Sequence, residues 1–469
     1  MNQNTTILEK IQRSILITSL ISFCSCILFG CDSFVDIDQP DSQLTRPAVF
    51  QSKSTATAAM TDIYAQMRDN GILTGKLAGI SNLLGNYTDE LVAYESGAYS
   101  SEPFYNNAVL PSNAIVLSKW NAAYNQIYAA NAVIDGVNNS VVLTAEDKNQ
   151  LRGEALFVRA LNHFYLVNIF GDIPYIVSTD YKANSKVSRI SANEVYSKLI
   201  DDLKTAVDLL SPLYVTSERV RPNKATVQAL LARVYLYTEQ WEQSSNMASA
   251  VLNNEYLYSW ENNLDKVFLK DSSTTIWQLS PDYDGQNTQE AAAFIFPSAP
   301  PTLVALSNTL VESFLPNDLR KNHWIRSVTD GNNIWFHAFK YKQDSDTGSS
   351  SEYSIIFRTA EQYLIRAEAR AHQGDLIGAK EDLNKIRSNA GLPNTGALTA
   401  VHIIEAVLEE RRHELFTEHG HRFFDLKRTG RLDSALNYKN GWESTDSLWP
   451  LPQSELLTNP FLTPQNPGY

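Results

Sequence analysis

Three histidines and two glutamates fall within eleven positions near the end of the chain, in the segment R-H-E-L-F-T-E-H-G-H-R from Arg412 to Arg422. Imidazole and carboxylate groups bind zinc, and the helix of a zinc protease carries H-E-x-x-H, with its two histidines one turn apart. In this chain the position four after His413 is Thr417. The segment therefore lacks the second histidine of that pattern, and its role depends on the element that carries it.

The element predicted to carry this segment is a helix that starts near Thr399 and ends at Gly420. Its apolar face has residues at helical spacing, namely Val401, Ile404, Leu408 and Leu415. Successive helix residues are rotated by about 100°, so His413 should point away from this face, into solvent. By the same geometry His419 lies about 120° around the helix from His413. We therefore expect no metal ion to be shared by these histidines.

The charged residues of the same segment favour a structural role. Arg411, Glu414 and Glu418 fall on one flank of the predicted helix, three and four positions apart, which favours a ladder of charges beside the core. The other histidines are scattered along the chain, and His163, next to Phe164, is predicted to be packed in the core.

Aromatic and amide residues are concentrated in two predicted loop insertions, residues 84–114, which show no helical periodicity, and residues 275–301. Sugars stack their apolar faces on aromatic rings, and their hydroxyl groups bond to amides and carboxylates. Loops on a rigid scaffold commonly carry binding residues. The candidate ligand-binding residues are therefore Tyr94, Tyr99, Tyr105, Asn106, Tyr283, Asp284 and Gln286. The alternative is that some of these rings only fix the loops to the scaffold.

Patterns of catalytic residues are weak or missing. The chain has no G-x-S-x-G motif, no Walker loop and no G-x-G-x-x-G. Glycoside hydrolysis needs only two carboxylates at a set separation, so Asp89 with Glu90, or Asp282 with Asp284, are formal candidates. Acidic pairs in loops are usually only solvated. We predict a binding protein that is not an enzyme and that needs neither a cofactor nor a metal.

Helical periodicity dominates the rest of the chain and predicts pairs of helices joined by short turns, with helix starts at Thr144, Ser191 and Asn223. Short strands are predicted at residues 275–279 and 334–339. Two segments share the tetratricopeptide spacing of small and large residues: Ala232, Ser244, Ala248 and Val251, and Ala367, Ala379, Leu383 and Ile386. These units begin 135 residues apart. The predicted fold is mostly α, a single scaffold of tetratricopeptide-like helix pairs with loop insertions and a few short β-strands.

The N-terminus has the features of an export signal. Lys10 and Arg13 precede an apolar run, residues 15–29, that is short for a membrane span. The run ends in Leu28-Phe29-Gly30-Cys31, and this order of residues is similar to a bacterial lipobox. We therefore predict that lipidation of Cys31 anchors the protein to a membrane.

Cleavage before Cys31 would divide the chain into a removed signal peptide, residues 1–30, a lipidated tether, residues 31–45, and a binding domain, residues 46–469. All three cysteines lie at or before Cys31, so the predicted domain contains neither a disulfide nor a cysteine-based metal site. The formal net charge is -13 and no basic stripe occurs, which argues against nucleic acid as a partner.

The order of motifs along the chain resembles the SusD/RagB family of outer-membrane nutrient-binding lipoproteins. The resemblance rests on the lipobox and on W-x-x-x-Y-x-x-I-x-x-A-N-x-V-I from Trp120, G-E-A-L-F-V-R-A-L-N-H-F-Y-L-V-N-I-F-G-D-I-P from Gly153, R-P-N-K-A-T-V-Q-A-L-L-A-R-V-Y-L-Y from Arg221, E-E-R-R-H-E-L-F-T-E-H-G-H-R from Glu409, and the terminal Q-N-P-G-Y. It covers nearly all of the chain from Cys31 onward.

This resemblance implies a protein tied by lipid to the outer membrane and facing the cell exterior. Such a protein binds a nutrient, commonly an oligosaccharide, and passes it to a SusC-like TonB-dependent transporter. Ligand residues of the family lie in variable loops, so none is carried over to this chain. Two alternatives stay open: a helical scaffold that binds only protein partners, and a peptide as the nutrient.

Overall fold

A computed structural model describes residues 46–97 and 100–469 of the chain. The predicted signal peptide, Cys31 and the predicted tether lie outside the described residues, as does Tyr99. Helices make up most of the described chain, and its strands are few and short. The mostly α fold class is therefore confirmed.

The helices are numbered in chain order. They are α1 (Arg46–Val49), α2 (Lys53–Asp69), α3 (Ile80–Tyr87), α4 (Glu102–Tyr105), α5 (Ala114–Asn139), α6 (Ala145–Phe170), α7 (Tyr181–Asn184), α8 (Ala192–Leu209), α9 (Lys224–Tyr237), α10 (Trp241–Leu252), α11 (Gln289–Phe294), α12 (Asn308–Ser313), α13 (Leu319–Trp324), α14 (Thr359–His372), α15 (Leu376–Asn389), α16 (Ala400–Glu414), α17 (His421–Arg428), α18 (Leu432–Leu436) and α19 (Gln453–Thr458).

The strands form two small antiparallel sheets. They are β1 (Leu91–Ala93), β2 (Thr275–Leu279), β3 (Val304–Leu306), β4 (Ile325–Thr329), β5 (Ile334–Ala338) and β6 (Ser354–Arg358). One sheet has the order β1-β3-β5-β4, and the other pairs β2 with β6. Both predicted strands are thus present, and the second ends one residue early.

The helix starts are set by the side chains that the sequence indicates. The Thr144 hydroxyl accepts a hydrogen bond from the Asp147 amide at 3.2 Å. Ser191 forms a capping box with Glu194, and Asn223 forms one with Thr226. A capping side chain satisfies an amide that has no partner inside the helix. The predicted starts of α6, α8 and α9 are therefore confirmed.

Small residues at the two tetratricopeptide-like crossings allow close helix packing. The Ser244 hydroxyl of α10 donates to the Ala232 carbonyl of α9 at 2.9 Å. Ala367 of α14 and Ala379 of α15 are buried in one cluster. The two units are neighbours in space, because Ile365 of α14 packs in the same cluster as Ala232. Units far apart in sequence thus stack as one helical scaffold.

The first predicted insertion contains more helix than its sequence suggests. Residues 84–87 complete α3, and residues 102–105 form the short helix α4, so the prediction of a loop at residues 84–114 was wrong at these two places. Both pieces are held by burial, with Tyr87 and Phe104 completely covered. The Tyr87 ring packs edge-on against Phe423 and Trp449. Tertiary packing, which a short sequence window does not show, stabilises these turns.

Candidate functional site

The segment from Arg412 to Arg422 is a helix end and a sharp turn, not one continuous helix. Helix α16 begins after the Thr399 cap, as predicted, but it ends at Glu414, six residues before the predicted Gly420. Thr417, His419 and Gly420 have positive φ angles of 56°, 47° and 76°. Left-handed backbone cannot continue a right-handed helix. The His419 amide donates to the Ser81 hydroxyl at 2.9 Å, so a contact with α3 holds the turn.

His413 is buried, and the prediction that it faces solvent was wrong. Its Nε2 lies 2.9 Å from the Ser313 hydroxyl, and its ring packs on Phe314 with centroids 4.6 Å apart. Phe314 belongs to a second hydrophobic cluster next to the small sheets. Helix α16 is therefore buried on two faces, whereas its apolar pattern predicts a single buried face. Burial, together with Arg320 and Arg412, lowers the pKa of His413 to about 3.

The other two histidines of the segment are also packed groups. His419 is buried and donates from Nε2 to the Ile355 carbonyl at 2.9 Å. Burial lowers the pKa of both His419 and His421. Across residues 46–97 and 100–469, no three histidine, aspartate, glutamate or cysteine side chains are placed to bind a metal ion. His163 is buried as predicted, with Nδ1 2.8 Å from the Arg159 carbonyl.

The charged residues of the segment form a buried network instead of the ladder along one helix flank. Glu414 receives hydrogen bonds from Arg320 at 3.0 Å and from Arg358 at 2.6 Å. Glu418 is bonded to Arg358 and to Lys340. Arg411 pairs separately, with Asp425 at 2.7 Å. The charges thus connect α16 and the turn to α13, β6 and α17. This matches the predicted structural role, but the charged residues pair with other elements instead of forming a ladder along one helix.

Three of the four carboxylates considered for glycoside hydrolysis are engaged in other contacts, whereas one oxygen of the buried Glu90 carboxyl has no hydrogen-bond partner among the described residues. Asp89 is buried and accepts hydrogen bonds from Arg412 and Arg422 at 2.9 and 2.8 Å. Burial and the adjacent Asp89 raise the pKa of Glu90 to about 8. Asp282 pairs with Arg68 at 3.1 Å. The carboxylate of Asp284 accepts from the Ser350 amide at 3.1 Å.

The predicted ligand residues of the second insertion lie on a loop that packs against residues 344–351. The Tyr283 ring is 52% exposed, and its hydroxyl donates to Asp346 at 2.8 Å. The Gln286 side chain accepts from the Asp282 amide at 2.8 Å, which closes the turn. The cavity beneath this loop measures about 10 Å³, room for at most one water. A sugar would therefore contact the outer surface of this loop.

The predicted residues of the first insertion lie directly after strand β1 and at the end of helix α4, two elements that contact each other. Tyr94 is 42% exposed, and its amide donates to the Leu303 carbonyl at 2.8 Å. The Lys439 ammonium lies 5.1 Å from the centre of the half-buried Tyr105 ring, and Asn106 is exposed beside it. Among the described residues, no hydrogen bond or ring contact joins Tyr94, Tyr105 and Tyr283. Their role in binding stays a prediction, as does that of Tyr99.

Two family models together match most of the chain. A SusD-like model, described as starch-binding and associating with the outer membrane, matches residues 34–236. The model of the SusD family matches residues 318–469. The two matches flank the second insertion, and the second match includes the helix pair with Ala367 and Ala379 and the segment from Arg412 to Arg422. The chain belongs to the SusD/RagB family.

Relatives and solved structures agree with this membership. SusD-like protein P2 of Formosa agariphila is 28% identical over 503 residues, which cover 94% of this chain and 97% of that protein. A SusD superfamily protein from Parabacteroides distasonis has a TM-score of 0.77 at 23% identity, covering 89% of this chain and 99% of the other. A laminarin-binding SusD-like protein has a TM-score of 0.76 at 22% identity, with 89% and 99% covered. The SusD fold therefore extends through the helical scaffold and the small sheets.

No helix within the described part of the chain is long and apolar enough to cross a lipid bilayer.

Proposed function

We propose that this SusD-family protein is anchored by lipid at Cys31 to the outer membrane, facing the exterior, and delivers an oligosaccharide to a SusC-like TonB-dependent transporter. Its loop residues Tyr94, Tyr99, Tyr105, Asn106, Tyr283, Asp284 and Gln286 would contact the sugar. The family models, one of them described as starch-binding, support this proposal. The similar fold of the laminarin-binding protein supports it further.

The proposal that the protein binds sugar rests mainly on the exposed ring of Tyr283. Its hydroxyl is fixed by Asp346, so the ring stays accessible in a defined orientation. A ring that is ordered before binding loses little conformational freedom when a sugar stacks on it. Asp284 and Gln286 keep further polar atoms beside it for the hydroxyl groups of the ligand.

The ion pairs that the candidate carboxylates form fit a protein that binds sugar better than one that hydrolyses it. Hydrolysis needs an acid and a second carboxylate on either side of the glycosidic bond. Asp89 is held by two arginines, and Asp282 is paired with Arg68. We therefore infer that the captured glycan is passed on uncut.

The binding test is calorimetry with neutral oligosaccharides, beginning with laminarin fragments. Tyr283→Ala should weaken binding about tenfold, since it removes a stacking surface. Tyr283→Phe keeps the ring and loses only the bond to Asp346, so it should bind more tightly than Tyr283→Ala and more weakly than the unaltered chain. Equal affinity of Tyr283→Ala and the unaltered chain would contradict the proposed role of this loop.

A helical scaffold that binds only protein is the second candidate. The buried rings of Tyr87 and Phe104 favour it, because they fix the first insertion to the core. Failure of the protein to bind any glycan in a broad screen would favour this candidate over sugar binding.

A further inference from the structure

A cleft of about 510 Å³ lies on the helical scaffold, between α5, α7 and residues 455–462. It is within the range of about 300–1,000 Å³ that is typical of small-molecule sites. None of the predicted loop residues lines it. The cleft is therefore separate from the surfaces assigned to sugar contact in the proposed function.

One wall of the cleft is a row of aromatic rings along α5. Trp120, Tyr124 and Tyr128 are four residues apart and share one helix face over about 12 Å. Trp120 and Tyr124 have ring centroids 4.8 Å apart, and the Tyr124 hydroxyl donates to the Pro174 carbonyl at 3.0 Å. Tyr128 is 42% exposed, although its spacing suggests the buried face. Tyr181 of α7, 72% exposed, forms the opposite side.

Polar groups accompany the rings inside the cleft. Asn121 and Asn125 form a second row on α5, and both are exposed. Within the described chain, neither amide side chain makes a hydrogen bond to another protein group. Glu455 adds a half-buried carboxylate near Trp120, and burial raises its pKa. The cleft therefore offers hydrogen-bond donors and acceptors next to flat apolar surfaces.

This combination fits a saccharide. Its ring faces can stack on Tyr181, and its hydroxyl groups can pair with the amides and with Glu455. Neither lysine nor arginine lines the cleft itself, and the Lys182 ammonium next to it lies 5.9 Å from the centre of the Tyr181 ring. A protein surface would leave most of these amides buried and unpaired, which costs free energy. We propose that this cleft is a second oligosaccharide subsite, on the scaffold instead of the loops.

The inference rests on the proposed sugar-binding function, and the two can be tested apart. Calorimetry would use protein purified from membranes in detergent and a panel of laminari-, malto-, cello- and xylo-oligosaccharides. Tyr181→Ala and Asn125→Ala should each weaken binding of at least one of these sugars about tenfold. Tyr256→Ala is the matched control, because Tyr256 is 88% exposed and lies outside the cleft. Both side chains to be removed from the cleft are exposed, so the variants should fold.

Each result separates the two proposals. If Tyr181→Ala weakens binding and Tyr283→Ala does not, the cleft is supported and the loop site is overturned. If only Tyr283→Ala weakens binding, the cleft is overturned and the loop site stands. Absence of binding to every sugar in the panel overturns both. If the cleft variants bind sugar normally but no longer purify with the transporter, the cleft is a protein-docking surface and the subsite is overturned.

Discussion

Glu414 and Glu418, the two buried carboxylates of the Arg412–Arg422 segment, stay charged because cations surround them. Burial opposes ionisation of Glu418, but Arg358 and Lys340 outweigh it and lower its pKa to about 2. Arg320 is completely buried and reaches both Asp318 and Glu414. Removing one member of such a network leaves its partner charged, buried and unpaired. These residues therefore matter through their pairing, not through chemistry on a ligand.

Glu418→Gln should lower the free energy of unfolding by about 3–5 kcal/mol, because Arg358 and Lys340 lose a shared anion. Denaturant unfolding at pH 7.5 measures this loss. Lys53→Met is the control, since Lys53 pairs with Asp147 at an exposed position, and its effect should be much smaller. Equal effects of the two substitutions would show that the buried network does not stabilise the fold.

His413 should make the protein less stable in mild acid. Its folded pKa is about 3 and the unfolded value is near 6.5, so only the unfolded state gains a proton as the pH falls from 6.5 towards 3. Between pH 7.5 and pH 5, this one group should remove about 2 kcal/mol of stability.

The measurement for His413 is denaturant unfolding at both pH values. His413→Gln should reduce the pH dependence, because glutamine does not titrate. His402→Gln, on an exposed position of the same helix, should keep the pH dependence of the unaltered chain. If His413→Gln also kept it, the acid sensitivity would have another source.

At the scale of elements, helix starts and repeat crossings were predictable because local chemistry determines them. A capping side chain acts within three residues, as Thr144 and Ser191 do. The end of α16 was not predictable, because its turn depends on Ser81, which is 338 positions from His419. The burial of His413 likewise depends on Phe314, a residue of a distant segment. The loop residues could be proposed from their chemistry, but contacts such as that of Tyr283 with Asp346 join segments far apart in sequence and were not predictable.

The close crossing of α9 and α10 should not tolerate a larger side chain. Ala232→Leu would force the helices apart and should cost about 1–3 kcal/mol of unfolding free energy. Ala250→Leu is the matched control on α10, because Ala250 is exposed. Thermal unfolding followed by circular dichroism would compare the two. A lower melting temperature for Ala250→Leu than for Ala232→Leu would contradict the close crossing.

At the scale of the whole molecule, attachment to the membrane should depend on one residue. Cys31→Ser removes the thiol that would carry lipid, so the protein should move from the membrane fraction to the soluble fraction of the cell. Cell fractionation and labelling with a radioactive fatty acid measure this. Cys26→Ser, within the predicted signal peptide, is the control and should leave both readouts unchanged. Continued labelling of Cys31→Ser would place the anchor elsewhere.

The packing of α10 against α14 also affects how the chain folds. Ile365 packs in one buried cluster with Ala232 and Ala248, although it lies more than a hundred positions later in the chain. Contacts between distant segments slow folding, because a long loop must close before they form. The N-terminal helix pairs would thus keep an uncovered apolar face until the last third of the chain is available. We expect a truncation before α14 to aggregate instead of forming a smaller stable protein.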